Sequence, residues 1–161
     1  MIKSAGSELD KTDRQILDIL QEEGRISNAE LASRIHLSPP ATHGRVRRLE
    51  SAGYIKGYVA LLDRQITGHD NLCFVEMSLA VHERDRIRTI LDRIVAMPEV
   101  LECHNVTGEY DYLLKVVVRS TQALEAFISG KLIPIEGIAR IHTSLVLKEV
   151  KSTTRLALEG E

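Results

Sequence analysis

The 161-residue sequence predicts an α+β chain made of an N-terminal winged helix-turn-helix domain and a C-terminal ferredoxin-like βαββαβ domain. Three observations carry that reading. Apolar residues recur at helical spacing as far as Leu49, a polar break runs from Asp63 to Asn71, and beyond it stretches of period two alternate with stretches of helical period. The expected boundaries are 9–62 for the first domain, 63–71 for a linker, 72–151 for the second domain and 152–161 for a C-terminal tail.

Residues 1–8 are small and polar and are expected to be mobile. Asp10 is placed to cap a helix reaching about Glu23, with Ile16, Leu17 and Leu20 as its apolar stripe and Gly24 just past its end. Ser27 with Glu30 three positions later forms a capping box for a second helix, Asn28 to Ile35, whose Leu31, Ala32 and Ile35 face inward while Arg34 faces out. A tight bend through His36-Leu37-Ser38 follows. Ser38 then caps a third helix, and Pro39 is tolerated in its first turn because the missing N–H would have been unpaired there. Thr42, Val46 and Leu49, at spacings of four and three, make its buried side. Pro40, Ala41, Gly44, Arg47 and Arg48 are left outward, with His43 and Arg45 flanking. Gly53 closes that helix. Tyr54 to Leu62 is β-prone and reads equally as a small wing or as an extended linker pairing with its copy in another subunit.

The formal net charge is -2, which excludes a uniformly cationic nucleic-acid coat. Yet between Leu31 and Leu49 stand Arg34, Arg45, Arg47 and Arg48, with two histidines and no acidic residue. Two short helices, a tight turn and a basic outer face make a helix-turn-helix, expected to lay its third helix in a DNA major groove. Ser38, Pro40, Ala41, Thr42 and His43 are then expected at base edges or nearby phosphates, and Arg45, Arg47 and Arg48 on the backbone or a guanine. Asn28 and Arg34 of the preceding helix complete the expected DNA-binding set. Gly44 costs about 1 kcal/mol of helix propensity relative to alanine, which points to close approach by something. With 4% aromatic residues and no Trp, a stacking surface for single strands is disfavoured.

In the second half, Cys73, Val75, Met77, Leu79 and Val81 alternate with Phe74, Glu76, Ser78 and Ala80 as a strand does. Arg84 to Met97 is helical, with Ile87, Ile90, Leu91, Ile94 and Val95 on one face, and Pro98 stops it. Val100 to Thr107 and Asp111 to Val118 read as strands joined at Gly108-Glu109-Tyr110. Ser120 caps a helix that uses Leu124, Phe127 and Ile128 and ends near Gly130, and Ile138 to Lys148 is the last strand. This order gives four antiparallel strands with both helices on one face. The other face is left open, yet Leu113, Leu114, Val116, Val117 and Val118 form the continuous apolar run of a strand covered on both sides. A second subunit is the expected cover. Cys73 and Cys103 lack metal-ligand spacing and read as buried residues in a reducing compartment. Met1 to Asp13 is polar and no run approaches about 18 apolar residues, so a soluble cytoplasmic protein without membrane association is expected.

Several stretches together carry a family resemblance. In the first half they are Asp10-x-x-Asp13-x-x-Ile16-Leu17, Gly24-Arg25-Ile26-Ser27, Leu37-Ser38-Pro39, Arg45-Val46-x-Arg48-Leu49-Glu50 and Gly53-Tyr54-Ile55. In the second they are Glu102-Cys103-His104, Gly108-Glu109-Tyr110-Asp111-Tyr112-Leu113-Leu114-Lys115 and Leu145 through Lys151. From Leu9 to about Arg155 the chain resembles the Lrp/AsnC family of feast/famine transcription regulators. The resemblance implies double-stranded DNA as partner and a homodimer formed through the C-terminal domains, often assembling to octamers. It also implies an amino acid or similar small effector bound between subunits, with no cofactor and no metal. The family's effector loop maps onto Gly108, Tyr110 and Asp111, with His104 and Ser144 as further candidates. Gly108 permits a tight backbone with free amide donors for a carboxylate, and Asp111 can pair with an ammonium group. By local chemistry alone the same residues also make an ordinary hairpin turn. Thr42 stands where the family usually places Val or Cys facing the core. Two other functions compete with regulation. Sirohaem decarboxylases resemble this architecture, with His104 and His142 available as acid/base groups, but no nucleophile, metal cluster or phosphate loop has the needed spacing. An oligomerising sensor without DNA binding is the other, and the arginine cluster speaks against it.

Overall fold

The computed structural model describes residues 9–158, so the mobility expected at residues 1–8 lies outside the described residues. The chain divides into two compact units. One comprises the chain through Leu61 together with the segment from Lys151, and the other runs from Leu62 to Val150.

The first unit holds α1 (Lys11–Glu22), α2 (Asn28–Arg34) and α3 (Pro39–Ser51). At the start of α1 the Asp10 side chain accepts the Asp13 N–H while the Asp13 carboxylate accepts the Asp10 N–H, so two otherwise orphaned donors are satisfied. Ser27 Oγ accepts the Glu30 N–H at 3.1 Å. The reciprocal half of that expected box is diverted, because the Glu30 carboxylate pairs with the Arg34 guanidinium at 2.6 Å, a stronger charge-assisted bond. Ser38 caps α3 through the Ala41 N–H, with Pro39 in the first turn. The bend between α2 and α3 is tight enough to hold His36 at φ 54°, a left-handed conformation costing about 1 kcal/mol or more in a residue with a β-carbon. Ile16, Leu17, Leu31, Ile35 and Leu49 form the buried centre, with Leu20 and Val46 packed against it.

Residues 55–62 pair with no strand among the described residues, and Val59 and Leu61 stay largely exposed. The segment expected as a tail is instead held against α1. The Gln21 side-chain amide donates to the Leu156 carbonyl at 3.0 Å and its oxygen accepts the Leu156 N–H at 2.7 Å, as a neighbouring strand would. Arg155 pairs with Glu22 and Asp18, and Leu158 packs on the trihelical core.

The second unit runs β1 (Asn71–Leu79), α4 (Arg84–Val95), β2 (Val100–Asn105), β3 (Tyr112–Val118), α5 (Thr121–Phe127) with a π turn (Ile128–Leu132), and β4 (Ile138–Leu145). The strand order is β2-β3-β1-β4, antiparallel throughout. Cys73, Val75, Met77, Leu114 and Val116 point to one face, where Ile90, Ile94, Phe127 and Leu132 cover them. Val95, expected on the inward face of its helix, is exposed where the helix ends. The opposite sheet face is crossed by registered rows. Glu102, Lys115, Phe74 and Ser144 form one row, and His104, Leu113, Glu76 and His142 the next.

Candidate functional site

On α3 the exposed residues include Pro40, Ala41, His43, Gly44, Arg47 and Arg48, with Ser38 at the cap. Pro40, Gly44 and Arg47, at spacings of four and three, form one outward stripe. A β-carbon at Gly44 would stand in open space, so the fold itself does not require glycine there. Arg47 has no hydrogen-bond or ion-pair partner among the described residues.

The remaining expected DNA contacts lie elsewhere. Thr42 is fully buried and its hydroxyl donates to the Ser38 carbonyl at 3.1 Å, because its spacing from Val46 and Leu49 turns it into the core. Arg45 Nη1 donates to Asp10 Oδ2 at 2.6 Å and to Asp13 Oδ1 at 2.9 Å, and Arg48 Nη2 donates to Asp13 Oδ2 at 2.5 Å. Arg34 is bound by Glu23 at 2.5 Å and Glu30 at 2.6 Å, which together hold its guanidinium above its ordinary pKa. Asn28 Nδ2 donates to the Pro39 carbonyl at 2.9 Å, tying α2 to the first turn of α3. Of the four arginines read as a DNA-facing cluster, three are engaged by acids of the same unit. The sequence did carry a signal for this, since Asp10 and Asp13 repeat at the same spacing of three as Arg45 and Arg48.

Thr42→Val tests the buried placement. The Ser38 carbonyl keeps the Thr42 backbone N–H as donor at 3.0 Å, so no group is orphaned. Thermal unfolding should change by less than about 1 kcal/mol and DNA affinity by less than about twofold; an affinity loss above about tenfold would put Thr42 back at the DNA.

In the second unit, the loop between β2 and β3 turns through Gly108 at φ 122°, a conformation that favours glycine. Beside it lies a cleft of about 390 Å³ lined by Glu76, Val106, Thr107, Glu109, Tyr110 and His142. The Tyr110 and His142 rings stack with centroids 6.2 Å apart, and the Arg140 guanidinium sits 5.4 Å from the Tyr110 ring centre. Arg140 pairs with Glu109 at 2.9 Å and His142 Nδ1 with Glu76 at 3.0 Å. Tyr110 thus stands where expected, on a loop shaped by Gly108. Asp111 is partly occupied, because its Oδ2 accepts the Leu79 N–H at 2.8 Å and its own N–H donates to the Met77 carbonyl. His104 and Ser144 do not line the cleft: His104 pairs with Glu102 on β2, and Ser144 lies opposite Phe74. Glu76, Glu109 and Arg140 stand at or beside the cleft without being singled out by the sequence, which offers His142 only as a possible acid/base group. Glu76 and His142 meet through the register of β1 with β4, which no local pattern encodes.

Among the described residues, no helix is long and apolar enough to cross a membrane, and no group of three or more His, Cys, Asp or Glu is placed to hold a metal.

A family model described as the Lrp/AsnC ligand binding domain matches residues 72–156, and one described as winged helix-turn-helix DNA-binding matches residues 9–56. The leucine-responsive regulatory proteins of Klebsiella pneumoniae and Escherichia coli are each 40% identical over 157 residues, covering 98% of this chain and 96% of theirs. A Neisseria meningitidis transcriptional regulator solved as a complex with L-methionine superposes with a TM-score of 0.90 at 38% identity, covering 93% of this chain and 97% of its own. A feast or famine regulatory protein from M. tuberculosis, also complexed with L-methionine, gives 0.82 at 32% identity, covering 92% and 98%. With matches spanning both units, this chain belongs to the Lrp/AsnC family of transcriptional regulators.

Proposed function

We propose that the protein is a sequence-specific DNA-binding regulator that places α3 in the major groove and responds to an amino acid, and that it is not an enzyme. One observation carries the DNA assignment: the outward stripe of α3 combines a glycine the fold does not need with the one arginine of the cluster left without a partner among the described residues. Regulation by an amino acid is supported by the L-methionine complexes of two structural neighbours and by the cleft itself. There Glu76 and Glu109 offer anions to an ammonium group and Val106 with the Tyr110 ring offers apolar surface, while Arg140, beside the cleft on Tyr110 and Glu109, offers a cation to a carboxylate.

A homodimer, assembling further and acting in the cytoplasm, completes the reading. Its support is exposed apolar surface: Phe74 on the open sheet face and Val59, Leu61 and Leu62 in the linker. Two copies of α3 would then meet successive major grooves about 34 Å apart, so the bound sequence should be roughly palindromic. An effector shifts such a system only by binding its alternative states unequally.

Selection of duplexes from a random pool by the full-length protein, repeated with each amino acid, tests the whole reading. A near-palindromic consensus, with affinity or particle size changed by at least one amino acid, is the expected result. No enriched duplex would remove the DNA assignment, and indifference to every amino acid would remove the effector.

A further inference from the structure

We propose that Asp13 is a positioning residue for DNA reading, a buried carboxylate that fixes the roll of α3 by holding Arg45 and Arg48 together. This rests on the assignment of α3 to the groove and concerns how that helix is aimed.

Asp13 is 1% exposed although its side chain is charged. A buried carboxylate is tolerated only when its lone pairs are taken, and here both oxygens are occupied. Oδ1 accepts from Arg45, and Oδ2 accepts from Arg48 and, at 3.4 Å, from the Asp10 N–H. The same residue is therefore part of the α1 cap and the anchor of α3. Asp10 adds a second, exposed carboxylate to Arg45, and that ion pair holds Asp10 below its ordinary pKa.

Ile16, Leu17, Val46 and Leu49 attract without direction, whereas the ion pairs to Asp13 are directional. Arg45 and Arg48 lie one turn apart on one side of α3, about 4.5 Å along the axis, and both must reach a single carboxylate. A roll of about 20° moves the outer surface of a helix about 5–6 Å in radius by about 2 Å, which breaks at least one of those bonds. The same roll moves Pro40, Gly44 and Arg47 by about 2 Å, more than a base contact tolerates. The clamp thus spends two basic residues of the reading helix on aiming the third.

The test uses full-length protein and two probes: a duplex that the wild-type chain enriches from a random pool, and a scrambled duplex of equal length. Asp13→Asn keeps a capping oxygen and removes the charge. Its affinity for the enriched duplex should fall at least tenfold while its affinity for the scrambled duplex holds or rises, so the ratio between probes collapses. Arg48→Gln, at a half-exposed position, covers the case in which Asp13→Asn does not fold. It should lower the ratio several-fold with the salt dependence of binding unchanged. The proposal is overturned if a folded Asp13→Asn keeps the wild-type ratio. It is equally overturned if Arg48→Gln keeps that ratio, or flattens the logarithmic salt slope by about 0.9, the signature of a lost phosphate contact. Failure of the wild-type chain to enrich any duplex would sink the DNA assignment, a different outcome from either.

Discussion

Arg47→Ala is expected to weaken binding of an enriched duplex by about 1–3 kcal/mol, roughly 5- to 150-fold, and to reduce the salt slope by about 1. The reasoning is electrostatic. A guanidinium releases a counterion from DNA only if it reaches a phosphate unneutralised, and among the described residues Arg47 alone of the four has no carboxylate beside it. Arg34→Ala supplies the contrast. Its guanidinium is shared by Glu23 and Glu30, so its loss should leave the slope within about 0.3 of wild type. Fluorescence anisotropy titrations at four or more salt concentrations give both slopes. Equal flattening by the two variants would mean that DNA displaces the acids, and no flattening by Arg47→Ala would take the outward stripe of α3 off the backbone.

Where side chains answer to neighbours a few residues away, the sequence is readable. The caps at Asp10, Ser27 and Ser38 and the inward stripe Thr42, Val46, Leu49 stand as expected, because a helix period and a short polar side chain leave few alternatives. Trouble begins with partners distant in the chain. Arg45 and Arg48 read as DNA contacts because charge on a recognition helix is usually aimed at phosphate, and nothing local shows that Asp13, more than thirty residues earlier, has claimed them. The cleft fails for a related reason. Tyr110 belongs to a recognisable loop, whereas Glu76 and His142 are 66 positions apart and meet only because β1 lies between β3 and β4. His104 and Ser144 were drawn in by their nearness in sequence to the loop or the last strand, and strand register sends them elsewhere.

A glycine that sequence reading passed over carries the largest expected effect on stability. Gly137, just before β4, has φ 99°, and a β-carbon there would stand 2.8 Å from Ile90 Cδ1 and 3.2 Å from Val81 Cγ1. Its backbone has no freedom to retreat, since its carbonyl accepts the Ala80 N–H at 2.8 Å. Ile90 is itself a core residue of α4, so its terminal methyl must move into space that the core already fills. Left-handed strain of about 1–3 kcal/mol and overpacking of about 1–3 kcal/mol together predict that Gly137→Ala destabilises the second unit by about 2–6 kcal/mol. Gly68→Ala is the matched control: φ is 72°, a β-carbon meets nothing within 4 Å, and only the backbone cost of about 1–2 kcal/mol applies. Hydrogen exchange of β1 and β3 amides in the full chain reads the second unit directly, free of signal from the helices of the first. Protection of those amides should drop far more in Gly137→Ala than in Gly68→Ala. Equal losses would show that Ile90 and Val81 yield without cost, and that the glycine is there for its backbone conformation alone.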